Sequence, residues 1–233
     1  MNNKKYFAKI VCVLLLIAVL VVTFTGCNNK TDTTYDTVKT TKMNNFTHLN
    51  KRAKHGEVVM IGDSIVEIYN TSEQFADVDK IVYNRGISGD TSDKLLERLH
   101  NNALNIKPST IFLLVGTNDI GRGISQDVTL ENAKKIIIEC KQANIENIVI
   151  ESVYPVNYNL NKGMVGSRKN EQIIEYNSKL KALCENQNVT YVDVYSKLTD
   201  ENGEFNKNYT YDGLHPNETG YDVITAILKE YIK

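Results

Sequence analysis

Four short clusters in this chain hold side chains that can do chemistry together. Gly62-Asp63-Ser64-Ile65 presents a hydroxyl on a turn that its glycine lets be tight. Asn84-Arg85-Gly86-Ile87-Ser88-Gly89-Asp90-Thr91 is a loop whose glycines permit close backbone approach, with Asp90 or Thr91 placed to cap a following helix. Gly116-Thr117-Asn118-Asp119 offers a side-chain amide that can be aimed into a site. Asp212-Gly213-Leu214-His215-Pro216 sets a carboxylate and an imidazole three residues apart across a bend, with Pro216 holding His215 extended, so that the two can face one point. Hydroxyl, imidazole, carboxylate and amide are the groups of nucleophilic catalysis. Taken singly, the clusters read more readily as structure: an N-cap serine, a structural loop, a turn, a chance Asp-x-x-His.

The clusters gain weight from the elements around them. Val58 to Ile61 reads as a buried strand ending at Gly62, Lys80 to Asn84 as a second and Thr110 to Val115 as a third. Asn147 to Ser152 and Val189 to Val194 complete five, and the third is apolar throughout, as a central parallel strand is. Between them, Thr91 to Leu104, Leu130 to Ala143, Glu171 to Asn186 and Glu218 to Ile232 carry the helical period. Strands alternating with helices predict an α/β fold, a three-layer α/β/α sandwich around a parallel sheet of about five strands. In such sheets ligands bind beyond the carboxyl ends of the strands. Three clusters fall at strand ends and the fourth in the C-terminal loop.

In this order and at these places, the clusters resemble the four sequence blocks of the SGNH (GDSL-type) hydrolase superfamily, over about Glu57 to Tyr231. All five positions that the pattern requires are filled. The resemblance implies an SGNH/flavodoxin-like fold and a serine ester hydrolase without cofactor. Ser64 would be the nucleophile, His215 the general base and Asp212 the residue orienting the imidazole. The oxyanion hole would comprise the Ser64 N–H, the Gly89 N–H in preference to that of Gly86, and the Asn118 side chain. A serine hydroxyl is a weak nucleophile until a base takes its proton, and an imidazole does this near neutral pH. Within the second block, Ile87 to Thr91 is most similar to the thioesterase and lysophospholipase branch.

The first fifty residues have a different character. Lys4, Lys5 and Lys9 precede an apolar run of about 15 residues from Ile10 to Phe24, shorter than the ~20 of a spanning helix. The run ends in Phe24-Thr25-Gly26-Cys27, which resembles a bacterial lipobox, with Phe24 departing from the usual leucine. The expected organisation is a lipoprotein signal peptide over 1–26, lipidated Cys27 with a flexible linker over 27–50, and the hydrolase domain over 51–233. The alternative is an uncleaved anchor helix over Tyr6 to Thr25. Either places the domain on the extracytoplasmic face of a bacterial membrane.

The whole chain has 27 basic and 28 acidic residues and no basic run, which excludes a nucleic-acid partner on charge. Cys140 and Cys184 sit in helical patterns and read as buried thiols, and no Cys/His/Asp cluster has metal-ligand spacing. His48, His55 and His100 read as surface residues. Tyr154-Pro155 is expected on the rim of the site, and Tyr209 and Tyr211 as platforms for a sugar or acyl group. Tyr158 to Asn170 is expected as a flap. Three functions compete: an esterase for small acyl groups on carbohydrate, a lysophospholipase or acyl-thioesterase, and a binding module on a dead hydrolase fold.

Overall fold

A computed structural model describes residues 30–232, in two units divided after Asn44. The five strands are β1 (Val58–Gly62), β2 (Val82–Gly86), β3 (Thr110–Leu113), β4 (Asn147–Glu151) and β5 (Thr190–Val192). They form one parallel sheet in the order β2-β1-β3-β4-β5. The helices are α1 (Lys30–Asn50), α2 (Ser64–Glu67), α3 (Thr71–Gln74), α4 (Ser92–Asn102), α5 (Thr117–Gly121), α6 (Gln126–Gln142), α7 (Lys162–Val165), α8 (Asn170–Asn186), α9 (Tyr195–Leu198) and α10 (Glu218–Lys229). The expected three-layer architecture is the observed one.

Alternate residues of each strand point to opposite faces, which divides the core in two. Val59, Ile61, Ile111 and Leu113 pack with Leu95, Leu99, Ile136, Ile137, Ile173 and Leu180 from α4, α6 and α8. Val58, Met60, Phe112 and Val149 pack on the other face with Ile65, Leu198, Ile224 and Leu228 from α2, α9 and α10. From β1 the chain runs outward to β2 and then returns to β3 on the other side of β1. That reversal opens a crevice beyond the carboxyl ends of β1 and β3, where the serine and amide clusters lie.

Residues 30–50 are helical, where an irregular spacer is expected, and the compact domain begins at Asn45 rather than at 51. The last turn of α1 is part of that domain. Asn50 Oδ1 accepts from Arg85 Nε at 3.1 Å and Nη2 at 2.8 Å, and Asn50 Nδ2 donates to the Asn101 and Asn102 carbonyls. Phe46 lies under the Arg85 guanidinium at 5.0 Å. A lone Phe in a Thr- and Asn-rich stretch makes no apolar period, so the docking is invisible to pattern reading. Cys27 and the signal segment lie outside the described residues. Cys140 and Cys184 are buried thiols as expected, and burial pushes each up to about 12.

Candidate active site

β1 ends at Gly62, which has no room for a side chain: a Cβ there would stand 2.6 Å from Val66 Cγ2 and 3.0 Å from the Leu114 carbonyl. The chain therefore turns at once into α2. The cap of α2 is Asp63 and not the serine, since Asp63 Oδ1 accepts the Ile65 N–H at 3.0 Å. Ser64 is thus the first residue of a helix, with its hydroxyl turned to the crevice. Ser64 Oγ lies 3.0 Å from His215 Nε2, and His215 Nδ1 lies 2.8 Å from Asp212 Oδ2. These three side chains come together across 151 residues of sequence, as the resemblance implies.

The Asp212–His215 bend explains its own residues. Gly213 has φ +80°, and a Cβ on it would meet the Asn157 carbonyl oxygen at 2.2 Å. Asp212 Oδ1 accepts the backbone N–H groups of Leu214 at 2.9 Å and His215 at 2.8 Å, which leaves Oδ2 for the imidazole. Burial acts against the Asp212 carboxylate, but the hydrogen bonds from His215 and Leu214 outweigh it and hold its pKa below the ordinary value.

Gly89, with φ +75°, lines the same cleft as Ser64, and its N–H meets no protein acceptor among the described residues. Gly86 differs: its N–H donates to Asn84 Oδ1 at 2.8 Å, and a Cβ there would meet the Glu67 nitrogen at 2.2 Å. The loop between them is held by two residues without a pattern of their own. Glu67 accepts the Ser88 N–H. Arg98, fully buried on α4, donates to Asp90 Oδ2 at 2.5 Å, the Arg85 carbonyl at 2.7 Å and the Gly62 carbonyl at 2.9 Å. Its place on the Leu95/Leu99 face was the one available signal of that burial. Asp90 therefore does not cap α4. Thr91 holds the N-cap position, without a side-chain cap hydrogen bond, and Asp119 accepts the Ser92 N–H at 3.0 Å from the far side of the crevice.

Asn118 donates to the Asp90 carbonyl at 3.0 Å and to Asp63 Oδ2 at 3.2 Å, while its own Oδ1 accepts from Arg168 Nη2 at 3.0 Å. Burial raises the Asp63 carboxyl to about 6, against the pull of the Ile65 N–H, His215 and Arg168. Ser64, Gly89, Asn118, Asp212 and His215 share a cleft of about 510 Å³, with Ile68, Met164, Arg168, Tyr211 and Leu214 among its walls.

Tyr211 stands exposed at the cleft and shares a neighbouring cavity wall with Glu218, whereas Tyr209 packs against the core on the α10 side. Tyr154 is core and not rim: its hydroxyl donates to buried Glu151 at 2.5 Å. The segment from Tyr158 to Asn170 does wall the cleft through Met164 and Arg168, but Val165 is fully buried and Asn157 N–H donates to the Gly213 carbonyl at 2.8 Å, which pins it. His48, His55 and His100 are exposed, as expected.

The arrangement supplies a hydroxyl with an adjacent base, an oriented imidazole, and N–H donors across the cleft, the set that acyl transfer to serine requires. Comparison with known proteins agrees. The chain is 31% identical over 183 residues to the N-acylneuraminate cytidylyltransferase of Escherichia coli O18:K1:H7, a match to 76% of this chain but only 40% of that protein, so this chain spans about two-fifths of that relative's length. It is 25% identical to the platelet-activating factor acetylhydrolase IB subunit alpha1 of Bos taurus over 75% of this chain and 74% of that one. A Streptococcus pneumonia structure, solved under the description of a platelet activating factor, superposes with TM-score 0.80 at 31% identity, covering 94% of this chain and 99% of its own. Residues 60–223 match the GDSL-like Lipase/Acylhydrolase family. The chain therefore belongs to the GDSL-like lipase/acylhydrolase family and is a hydrolase of ester bonds.

Proposed function

We propose that this hydrolase removes small acyl groups, acetyl in the first place, from carbohydrate or other small alcohols at the outer face of a bacterial membrane, to which a lipid on Cys27 tethers it. The observation that carries the reading is the unbroken hydrogen-bonded chain from Ser64 through His215 to Asp212 in a shallow cleft. In the reaction, His215 Nε2 takes the Ser64 proton as Oγ attacks the ester carbonyl, and Asp212 stabilises the imidazolium. The oxyanion receives the N–H groups of Ser64 and Gly89 and the amide of Asn118. His215 then returns its proton to the departing alcohol. Water, activated by the same imidazole, releases the acid and regenerates Ser64. The cleft's apolar walls are Ile68, Met164 and Leu214 with the Tyr211 ring, a short lining that suits a small acyl group. A relative that carries the name acetylhydrolase supports the same choice.

A second reading, a lysophospholipase or acyl-thioesterase, is favoured by exposed Tyr158, Leu160 and Met164 on the segment beside the cleft. Hydrolysis of p-nitrophenyl acetate, butyrate and octanoate by residues 28–233, beside Ser64→Ala, separates the readings. Acetate preference abolished by Ser64→Ala is the expected result, octanoate preference selects the second reading, and no cleavage of these esters by folded protein points to an enzyme of narrower substrate or a binding module. Cys27→Ser in the full chain is expected to move the protein from the membrane to the soluble fraction; retention in the membrane would overturn the lipid tether.

A further inference from the structure

An asparagine amide can serve an oxyanion only if its nitrogen, and not its oxygen, faces the reacting carbonyl. The two ends are nearly the same size, so shape does not choose between them. In this cleft the choice is made by charge and hydrogen bonding. The Asn118 Oδ1 accepts from the Arg168 guanidinium at 3.0 Å, while Nδ2 donates to the Asp90 carbonyl at 3.0 Å. A flipped amide would set N–H against a cation at one end and oxygen against oxygen at the other.

Arg168 is itself held in place. Its Nε donates to the Thr117 carbonyl at 2.9 Å and its Nη1 to the Val165 carbonyl at 3.0 Å. The guanidinium occupies space that a glycine leaves open, since a Cβ on Gly121 would stand 2.4 Å from Arg168 Cζ and 2.5 Å from Nη2. Three N–H groups of one planar fork thus grip the start of α5, the end of α7 and the Asn118 side chain together. Arg168 also lines both the catalytic cleft and an adjoining cavity of about 430 Å³, so it forms the wall between them.

We propose that Arg168 is the positioning residue of the oxyanion hole: it locks the Asn118 amide with its nitrogen towards Ser64 and, through a charged hydrogen bond to Oδ1, makes that N–H a stronger donor. A cation at the carbonyl end of an amide polarises it, and in a partly desolvated site the effect is larger than in water. The guanidinium also offsets the negative charge of Asp63, which otherwise stands beside the developing oxyanion. The inference rests on the esterase reading for its kinetic consequence, but the orientation of Asn118 is a property of the resting protein.

The test is a double-mutant cycle on p-nitrophenyl acetate, with Arg168→Met, Arg168→Lys, Asn118→Ala and the pair Asn118→Ala/Arg168→Met. Arg168→Met is expected to lower kcat about 10- to 100-fold with KM within about twofold. In the Asn118→Ala background the same change is expected to cost less than about threefold, because the group it positions is gone. Arg168→Lys, which keeps the charge but not the fork, is expected to recover part of the loss. Gly121→Ala, which pushes the guanidinium aside while keeping it, is expected to reproduce the direction of Arg168→Met. Equal losses in both backgrounds, or a loss confined to KM, would overturn the positioning role. Independently of turnover, the Asn118 side-chain amide is read by ¹⁵N–¹H correlation in the resting protein. A signal that is rigid in the parent and averaged in folded Arg168→Met is expected. An unchanged signal overturns the proposal even if the protein cleaves no ester, whereas a Ser64-independent rate overturns only the esterase reading.

Discussion

Asp63 Oδ2 stands 3.2 Å from the Asn118 amide nitrogen, so the residue before Ser64 and the amide after β3 share a hydrogen in the resting protein. The other amide hydrogen goes to the Asp90 carbonyl at 3.0 Å. In the proposed mechanism, an oxyanion forming beside Ser64 and Gly89 has to compete with the longer of these two contacts, the one to Asp63. Burial raises the Asp63 carboxyl to about 6, so near neutral pH the competitor is a carboxylate, and the Arg168 guanidinium, which pulls that value the other way, offsets its charge.

The first consequence concerns Asn118 alone. Removing one preorganised donor from an oxyanion hole costs about 10²–10³ in turnover. Asn118→Ala is expected to lower kcat by that order and leave KM nearly as it was, because the donor acts on charge that exists only in the transition state. Steady-state kinetics on p-nitrophenyl acetate decide it; an unchanged kcat removes Asn118 from the mechanism.

Asp212→Asn separates geometry from tautomer. The asparagine oxygen can still accept the Leu214 and His215 N–H groups, so the bend survives. Its NH₂ then faces His215 Nδ1 in place of Oδ2 and drives the imidazole proton to Nε2, where it cannot accept the Ser64 proton. The expected result is a kcat lower by about 10²–10⁴ with a melting temperature close to the parent's. Turnover within threefold of the parent would show that Asp212 does not set the tautomer.

What was legible in the chain follows from how each part is stabilised. Strands β1 and β3 are buried on both faces, so an unbroken apolar run betrays them, and the site clusters are short and local. Other parts depend on partners far away in sequence. Strand β2 continues to Gly86 through backbone pairing with Gly62, although Arg85 and Gly86 carry no strand signal. Helix α6 starts at Gln126, four residues before its apolar period, because Ser125 caps a polar first turn. In one dimension Arg168 looks like an ordinary surface cation, and Arg98 shows only its place on the Leu95/Leu99 face. Both are drawn inward by carbonyls at the ends of β1 and β2 or around α5, and no periodicity reports an acceptor of that kind.

A buried acid under the site links stability to pH. Glu151, at the end of β4, has one oxygen bonded to the Tyr154 hydroxyl, while its Oε1 has no hydrogen-bond partner among the described residues. Burial raises it from the ordinary 4.5 to about 7. Between those values the folded protein keeps a proton that the unfolded chain has released, so stability falls as pH rises across the window. Asp63 adds a slope of the same sign between 3.8 and about 6. Glu151→Gln removes the first contribution. It is expected to be the more stable protein at pH 8, by up to the order of 3 kcal/mol, and to lose that advantage by about pH 4. Urea denaturation of both proteins across this range tests it, and curves that run parallel would refute it.

The last turn of α1 is expected to behave as part of the domain. Arg85 is 5% exposed, and two of its donor nitrogens rely on Asn50 Oδ1. The remaining observed donor, Nη1, is satisfied within its own strand by the Asn84 carbonyl. Asn50→Ala strips the guanidinium of that shared acceptor and also leaves the Asn101 and Asn102 carbonyls without their side-chain donor. Hydrogen bonds to a buried charge are worth about 1.5–3 kcal/mol, so a loss of unfolding free energy of that size is expected. Val38, 62% exposed on the same helix, is the control: Val38→Ala is expected to change stability by less than about 0.5 kcal/mol. If both substitutions are equally silent in urea unfolding, the last turn of α1 contributes nothing to the domain, and the boundary belongs after residue 50.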